Sequence, residues 1–187
     1  MPPRAHYDRE AIAEAAFRLT RASGIEALNA RAIARELGCS TQPIFCAFSG
    51  MEEVRAEMLR RAADCYSGYI ARSAALDDRP YRGTGLAYIR FAKEEPVLFR
   101  LLFMRDRVRD GTDSRDDDPN MRYVLSVISA ATGFDEAQAL RFHQRLWIFT
   151  HGLAVMIVTG YVRYDEAEIR RLLSDEYLAM LRQMKGE

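Results

Sequence analysis

The chain has 187 residues, of which 49% are hydrophobic and 29% charged, so it can bury a sizeable core in one domain or two small ones. Its 27 basic and 27 acidic side chains balance, which excludes a global field that would attract nucleic acid or an anionic membrane. No apolar run reaches the roughly 18 residues of a membrane span, and the charged N-terminal residues do not fit a secretory signal.

The cysteines also restrict the functional classes. Cys39, Cys46 and Cys65 are odd in number and show neither a CxxC pair nor the Cys and His spacing of a zinc site. We therefore expect reduced thiols and no zinc site in a cytoplasmic protein. Cys39 and Cys46 could make their region redox-sensitive, with buried structural thiols favoured over that role. No cofactor and no membrane partner are expected.

The first predicted helix covers about residues 8 to 22. Its apolar residues, from Ile12 to Leu19, recur at the i, i+4, i+7 spacing of one helical face. Asp8 precedes them as an N-cap, and Gly24 follows as a stop signal.

Two short helices joined by a turn are predicted in "ARAIARELGCSTQPIFCAF", residues 30–48. Asn29 and Ser40 are the expected caps, and Gly38 lies at the turn, where a positive φ is needed. Ala34 is small where the second helix must pass close to the first. The residues expected to be buried between the two helices are Ile33, Leu37, Ile44 and Ala47.

The rest of the chain continues the helical pattern. A long helix begins at Met51 and is interrupted by "LDDRPYRGTG"; "LAYIRFAKEE" follows, and Pro96 then opens a further helix. Residues 105–120 contain four Arg and six Asp, which predicts a surface loop that does not favour DNA. Three more helices are expected at about residues 119–131, 135–161 and 165–185, which gives an all-α fold of about nine helices.

The stretch "AIAEAAFRLTRASGIEALNARAIARELGCSTQPIFCAFSGMEEVRAEML" resembles the DNA-binding domain of the TetR (tetracycline-repressor-type) family. The resemblance implies a helix-turn-helix domain in residues 1–50 and a ligand-binding and dimerisation domain in residues 51–187. It further implies a ligand-responsive dimeric transcriptional regulator, expected to be a repressor, whose partners are a palindromic double-stranded DNA operator and a small-molecule effector. A short helical pair that merely packs is the alternative for the turn region taken alone.

The second short helix carries the expected DNA contacts. Thr41 and Gln42 suit base edges, because glutamine can bond adenine bidentately and a threonine methyl can meet thymine. Arg31 and the N-terminal Arg4 could reach phosphates, although either could equally be a solvated surface charge. The complete DNA-binding prediction is Arg31, Ser40, Thr41, Gln42, Pro43 and Phe45, with Phe45 and Phe48 expected to be mainly structural.

Three departures from the family pattern argue for weak backbone contacts. The chain has Phe45, Ala47 and Met51 where the family usually has Tyr, His and Lys. Residues 1–50 contain six arginines against five acidic residues, a net charge of +1. A helical dimeric interaction protein whose helix-turn-helix no longer binds DNA therefore remains an alternative function.

The C-terminal part contains "LWIFTHGLAVMIVTGY", an apolar helix expected to be buried on most sides. Its W-x-x-x-H-G pattern is similar to one subgroup of the same family, and the four-residue spacing puts Trp147 and His151 on one face. Gly152 and Gly160 are expected inside this helix, where glycine suggests close packing.

His151 has two possible roles, a hydrogen-bonded core group or a contact to an apolar ligand, and the core role is the commoner for a lone histidine. The predicted ligand-binding set is Phe91, Phe99, Phe103, Trp147, His151 and Met156. No metal site is expected, since His143 lies too far from His151 along the helix for a two-histidine metal motif.

The last two helices carry apolar stripes that predict a four-helix dimer interface, with packing inside one chain as the alternative. The expected interface residues are Leu153, Ile157, Ile169, Leu172, Leu173, Tyr177, Met180 and Leu181. An enzyme is not expected, because the sequence shows no nucleophile with a base, no paired carboxylates in an apolar setting and no phosphate loop.

Overall fold

The computed structural model describes residues 7–106 and 120–186. Within these residues the regular structure is helical, as predicted. The nine α-helices are α1 (Arg9–Ser23), α2 (Ala30–Leu37), α3 (Gln42–Ala47), α4 (Met51–Ala71), α5 (Pro80–Glu94), α6 (Pro96–Phe103), α7 (Met121–Thr132), α8 (Glu136–Val158) and α9 (Glu166–Lys185). Each of them is too short or too polar to cross a membrane. Most of the predicted acidic loop, residues 107–119, lies outside the described residues.

The described residues form two compact units. The first contains the residues up to Cys65 together with Val97–Arg105, and the second contains Tyr66–Pro96 and the described residues from Asp106 onward. The chain therefore passes between the units three times: within α4, at the start of α6 and after Arg105.

The first unit is built around the alanine-rich face of α1. The Asp8 side chain accepts a hydrogen bond from the Ala11 N–H (2.8 Å), and Gly24 ends the helix with φ +85°, so both predicted boundaries are confirmed. Small side chains on α1 let neighbouring helices approach closely. The buried core comprises Ile12, Ala13, Ala15, Ala16, Leu28, Ile33, Ala34, Ile44, Phe48, Val54 and Met58.

In the second unit, α5 begins earlier than the sequence pattern indicates. Pro80 lies at the start of the helix, where its missing N–H leaves no hydrogen bond unmade, so "PYRGTG" is helical rather than a loop. Only a glycine fits at position 83 inside this helix, because a Cβ there would lie 2.6 Å from the Ser73 carbonyl oxygen. The glycine thus permits a close approach between α5 and the short 3₁₀ turn at Ser73–Ala75.

Two expectations for α8 are wrong. The helix ends at Val158, so Gly160 lies beyond it, with φ +74° in a turn rather than in the helix interior. Gly152 is helical, and a Cβ there would meet no atom of the chain within 4 Å, so nothing within the chain packs closely against it and the expected close packing stays a prediction. The helix is also not buried on most sides, because Ile148 is 65% exposed.

Candidate nucleic-acid interface and ligand site

The turn between α2 and α3 has the geometry that the sequence predicts. The Asn29 side chain caps α2 by accepting a hydrogen bond from the Ala32 N–H (3.0 Å). Gly38 adopts the left-handed conformation (φ +66°), and the Cys39 N–H donates to the Ala34 carbonyl oxygen at 2.9 Å. These bonds satisfy the end of α2 and direct the chain into α3.

The contact between the two helices is apolar. Ile33 and Ile44 are fully buried and Ala34 nearly so, which confirms their predicted positions, whereas Leu37 and Ala47 are only partly buried. Because this packing fixes one side of α3, its opposite side is left outside the core. The predicted contact residues Ser40, Gln42 and Phe45 are exposed there, and Thr41 and Pro43 are half-buried.

Three expectations about individual residues in this region are wrong. Ser40 does not cap α3; Thr41 occupies the cap position with helical backbone angles and makes no side-chain cap bond. Phe45 is 52% exposed rather than structural, whereas Phe48 is 2% exposed and fills the core as predicted. Cys46 is exposed as well, so it is not a buried thiol.

Arg9 of α1 holds the C-terminal end of α3. Its guanidinium donates to the Ala47 carbonyl oxygen (2.7 Å) and to Glu53 Oε1 of α4 (2.7 Å), and it lies 4.0 Å above the centre of the Phe48 ring. No local sequence pattern indicates this contact, since the hydrogen-bond partners are 38 and 44 residues away. Arg9 thus holds α3 in place, and its guanidinium is engaged within the unit.

The Glu53 carboxylate completes this arrangement. Hydrogen bonds from the Ser49 backbone N–H (2.6 Å), from Arg9 and from the Ser49 hydroxyl (2.9 Å) lower the pKa of Glu53 to about 2. Glu53 is therefore ionised at neutral pH, and the link between α1, the end of α3 and α4 is fully charged.

Few cations near α3 remain available for DNA. Arg18 pairs with Glu36 (3.3 Å) and lies 3.9 Å from Glu14. Arg31 and Arg35, exposed on α2, form no ion pair with any residue that the structure describes. Arg4 lies outside the described residues. These two α2 arginines therefore remain candidates for phosphate contact, and the weak backbone binding expected from the sequence stays a prediction.

In the second unit, Trp147 and His151 stack as their spacing predicts. The ring centres are 4.8 Å apart, with an interplanar angle of 16°. His151 Nδ1 also shares a hydrogen bond with the Tyr88 hydroxyl of α5 (2.8 Å). Burial lowers the pKa of His151, which favours the neutral imidazole. His151 thus has a hydrogen-bonded place against α5 and also supports a partly exposed indole.

The other predicted ligand residues lie in different surroundings. Phe91 is fully buried, and the centre of its ring lies 5.4 Å from that of Tyr66 and 5.3 Å from that of Tyr69. Met156 is partly exposed. Phe99 and Phe103 pack against each other (5.4 Å) in the first unit. The structure therefore brings Trp147 and His151 together, and two cavities of the second unit are lined by residues outside the predicted set.

Comparisons with known proteins connect this architecture to a family. Residues 81–180 match the family model described as "Tetracyclin repressor-like, C-terminal domain", which is more than half of the chain. The chain belongs to the tetracyclin repressor-like family of transcriptional regulators. No curated protein matches it. The matched segment includes Trp147, His151 and most of α5 to α9.

Solved structures show the same fold over nearly the whole chain. A TetR-like transcriptional regulator from Rhodococcus sp. RHA1 is 16% identical, covers 100% of both chains and has a TM-score of 0.63. The multidrug binding protein EbrR complexed with imidazole is 20% identical, covers 93% of both chains and has a TM-score of 0.64. EbrR complexed with ethidium is 19% identical over 90% of this chain and 97% of that one, with a TM-score of 0.61.

The expected dimer residues of this tetracyclin repressor-like chain fall into two groups. Four of them, Leu153, Ile169, Leu173 and Met180, are buried within the chain itself, and Met180 belongs to the apolar cluster around Phe142. Packing inside one chain thus accounts for these four positions of the stripes. Ile157, Leu172, Tyr177 and Leu181 are half-buried. The large apolar side chains exposed on α8 and α9 are different ones: Trp147, Ile148, Met156 and Leu178.

A buried ionic network in the second unit has no signal in the sequence. The side chain of Asp77 is fully buried and accepts hydrogen bonds from Arg82 Nε (2.8 Å), from Arg170 and from the Arg79 backbone N–H (2.8 Å). Arg170 also donates to the Leu76 carbonyl oxygen (2.8 Å). These hydrogen bonds link the segment between α4 and α5 to both α5 and α9.

Opposing effects set the charge of Asp77. Burial alone would raise its pKa, but the hydrogen bonds from Arg82 and from the Arg79 backbone outweigh burial and lower the pKa to about 2. Asp77 is therefore an anion at neutral pH. Among the described residues, no group of three or more His, Cys, Asp or Glu side chains is arranged to hold a metal ion.

Proposed function

We propose that the chain is a dimeric repressor that binds a palindromic operator through α2 and α3 and is released by a mostly apolar small molecule. The observation that carries this proposal is the burial of Ile33 on α2 and Ile44 on α3. This packing positions α3 so that Gln42 and its neighbours lie outside the core. A helix held in this way can enter a major groove about 12 Å wide. Two copies would read half-sites about one helical turn apart.

The proposed DNA contacts divide by chemistry. Gln42 and Thr41 read base edges, and Arg31, joined by Arg35, contacts phosphates. Ser40, Pro43 and the exposed Phe45 complete the surface. Because Arg9 and Arg18 are already engaged within the unit, we expect few phosphate contacts and a shallow dependence of affinity on salt.

For the dimer we propose the exposed apolar surface of α8 and α9. Ile148, Gly152 and Met156 follow each other at four-residue steps and so form one stripe along α8, and Leu178 adds an exposed apolar group on α9. The open space at Gly152 would let a second helix approach closely. The half-buried Ile157, Leu172, Tyr177 and Leu181 stay in the proposed interface, at its edges.

For the effector we propose contact with Trp147, His151 and Met156, and we keep the fully buried Phe91 in the proposed set. The W-x-x-x-H-G pattern provides one polar group beside exposed apolar surface, which suits a mostly apolar ligand. EbrR, with the same fold, has been crystallised with imidazole and with ethidium. The contribution of Phe99 and Phe103 remains a sequence prediction. As a regulator of this kind the chain would act without a cofactor or enzymatic turnover, in the cytoplasm where its operator lies.

Selection of genomic DNA fragments by the purified protein, at low and moderate salt, tests this proposal. We expect one short inverted repeat to be enriched. Gln42→Ala should weaken binding to that repeat by about 1–3 kcal/mol and leave non-specific binding unchanged, because only base readout is lost. Gln183→Ala, an exposed glutamine on α9, is the matched control and should bind normally.

Two results would contradict the proposal. Equal losses on specific and non-specific DNA for Gln42→Ala would mean that Gln42 does not read bases. An intact dimer that enriches no sequence would instead favour the helical interaction protein suggested by Phe45, Ala47 and Met51.

A further inference from the structure

A cleft in the second unit lies away from the proposed effector contacts. It opens between α5, Leu76 and the first turn of α9, and has a volume of about 200 Å³. Leu86, Ile89 and Ile169 line it and are buried, and Leu76 is half-buried beside them. The cleft therefore has an apolar floor. Its volume is below the roughly 300 Å³ at which drug-sized pockets begin, so an occupant must be small.

Charged side chains surround the cleft, and all but one have a close partner. Arg90 Nε lies 3.1 Å from Glu94, and Glu94 also accepts a hydrogen bond from the Tyr69 hydroxyl (2.8 Å). Glu166 lies 2.6 Å from Arg170. Lys93 is exposed and makes no hydrogen bond or ion pair with any described residue. Its ammonium is thus available to an anion.

The position of Lys93 relative to the cleft is also reflected in the ionisation of Glu166. The hydrogen bond from Arg170 is the main cause of the lowered pKa of Glu166, and the positive charges of Arg90 and Lys93 lower it further. The two cations of α5 therefore act across the cleft on the first turn of α9. An anion placed between Lys93 and the floor would experience the same attraction.

We propose that this cleft binds a small amphipathic monocarboxylate, with its alkyl chain on Leu86, Ile89 and Ile169 and its carboxylate on Lys93. A monoanion fits better than a phosphate dianion, because Glu94 and Glu166 border the same opening and repel additional negative charge. The site is distinct from Trp147 and His151, and its existence does not depend on DNA binding. This ligand class therefore adds a second binding activity to the proposed regulator.

The lysine content of the chain provides a direct test. The sequence contains only two lysines, Lys93 and Lys185. Limited acetylation of the full chain, quantified at each lysine by mass spectrometry, should show octanoate slowing modification of Lys93 and leaving Lys185 unchanged. Equal protection of both lysines, or of neither, would overturn the proposal. Octan-1-ol and octylamine are the uncharged and cationic comparisons, and protection by either one equal to that by octanoate would exclude carboxylate recognition.

Calorimetric titration separates the two parts of the site. Lys93→Gln should weaken octanoate binding about three- to tenfold through loss of a partly exposed charged contact, and Lys185→Gln should not. With the unchanged protein, octanoate should bind about tenfold more tightly than hexanoate, because two further methylenes are buried. Equal affinity for the two acids, or an unaffected Lys93→Gln variant, would contradict the assigned pose even in a protein that binds DNA as proposed.

Discussion

The two units of the chain obtain their order from different interactions. In the first, short-range signals such as Asp8, Asn29 and Gly38 fix the helix ends, and an alanine-rich apolar core holds the helices together. In the second, a fully buried carboxylate meets distant cations, as Asp77 meets Arg170, whereas the long-range Arg9–Glu53 pair of the first unit is partly exposed. The contrast shows that local sequence signals specify the α2–α3 turn more completely than they specify the buried ionic contacts of the second unit.

The second unit also joins α5 to α8 through two tyrosine–histidine pairs. The Tyr81 hydroxyl oxygen lies 3.1 Å from His143 Nδ1, and the Tyr88 hydroxyl oxygen lies 2.8 Å from His151 Nδ1. The two tyrosines are seven residues apart and the two histidines eight, so the pairs lie about two helical turns apart along both helices. Polar pairs of this kind specify the register of the helices, which apolar packing alone leaves less defined.

The apolar character of the first unit can be tested with two of its phenylalanines, Phe45 and Phe48. Phe48→Ala should destabilise the protein by about 3–5 kcal/mol, because a large side chain is removed from a closed core. Phe45→Ala should change stability by less than about 0.5 kcal/mol, because this ring is already in solvent. Urea denaturation followed by circular dichroism measures both. Similar losses for the two variants would mean that Phe45 also contributes to the core.

The contribution of buried ion pairs to the stability of the second unit can be tested by substituting Asp77. Asp77→Asn leaves Arg82 and Arg170 without their shared anion, and we expect a loss of about 2–4 kcal/mol, less than for a fully buried pair because both arginines are partly exposed. Asp78→Asn, which alters the exposed neighbouring carboxylate, is the control and should cost little. The same urea titration applies, and equal effects of the two substitutions would argue against a special role for Asp77.

What the sequence could and could not predict follows the same division. The turn at Gly38, the caps Asp8 and Asn29 and the buried pair Ile33 and Ile44 were predictable, because each depends on neighbours within about four turns of helix. The prediction that Ser40 caps α3 is wrong because the backbone is already helical at Thr41, and residue type does not specify this conformation.

In the second unit, periodicity located the helices and the Trp147–His151 stack, but it could not determine which apolar stripe faces inward. Leu173 and Met180 have the spacing of an interface and are buried in the chain's own core, whereas Ile148 of the neighbouring helix is exposed. The identity of the packing partner decides between these outcomes, and that partner can be many residues away. The Asp77 network is the extreme case, because Arg170 is 93 residues from Asp77.

The smallest expected effect concerns acid sensitivity in the first unit. The pKa of Glu53 is about 2 in the folded chain and near its ordinary value of 4.5 when unfolded, so the unfolded state binds the proton more readily. Its contribution to stability is therefore fully present above about pH 5 and is lost as the pH falls toward 2. Glu53→Gln should lower the melting temperature slightly at pH 7 and flatten its decline between pH 5 and 2.

The neighbouring glutamate provides the matched control for this acid titration. Glu52 is almost fully exposed and lies 3.7 Å from Arg55, a weak contact whose loss should change little. Glu52→Gln should keep the decline of the wild-type melting temperature over the same pH range. If the Glu53→Gln variant kept the same decline, the contact between Arg9, Ala47 and Glu53 would not hold α3 through charge. The orientation of α3 would then depend on the apolar packing around Ile44 and Phe48 alone.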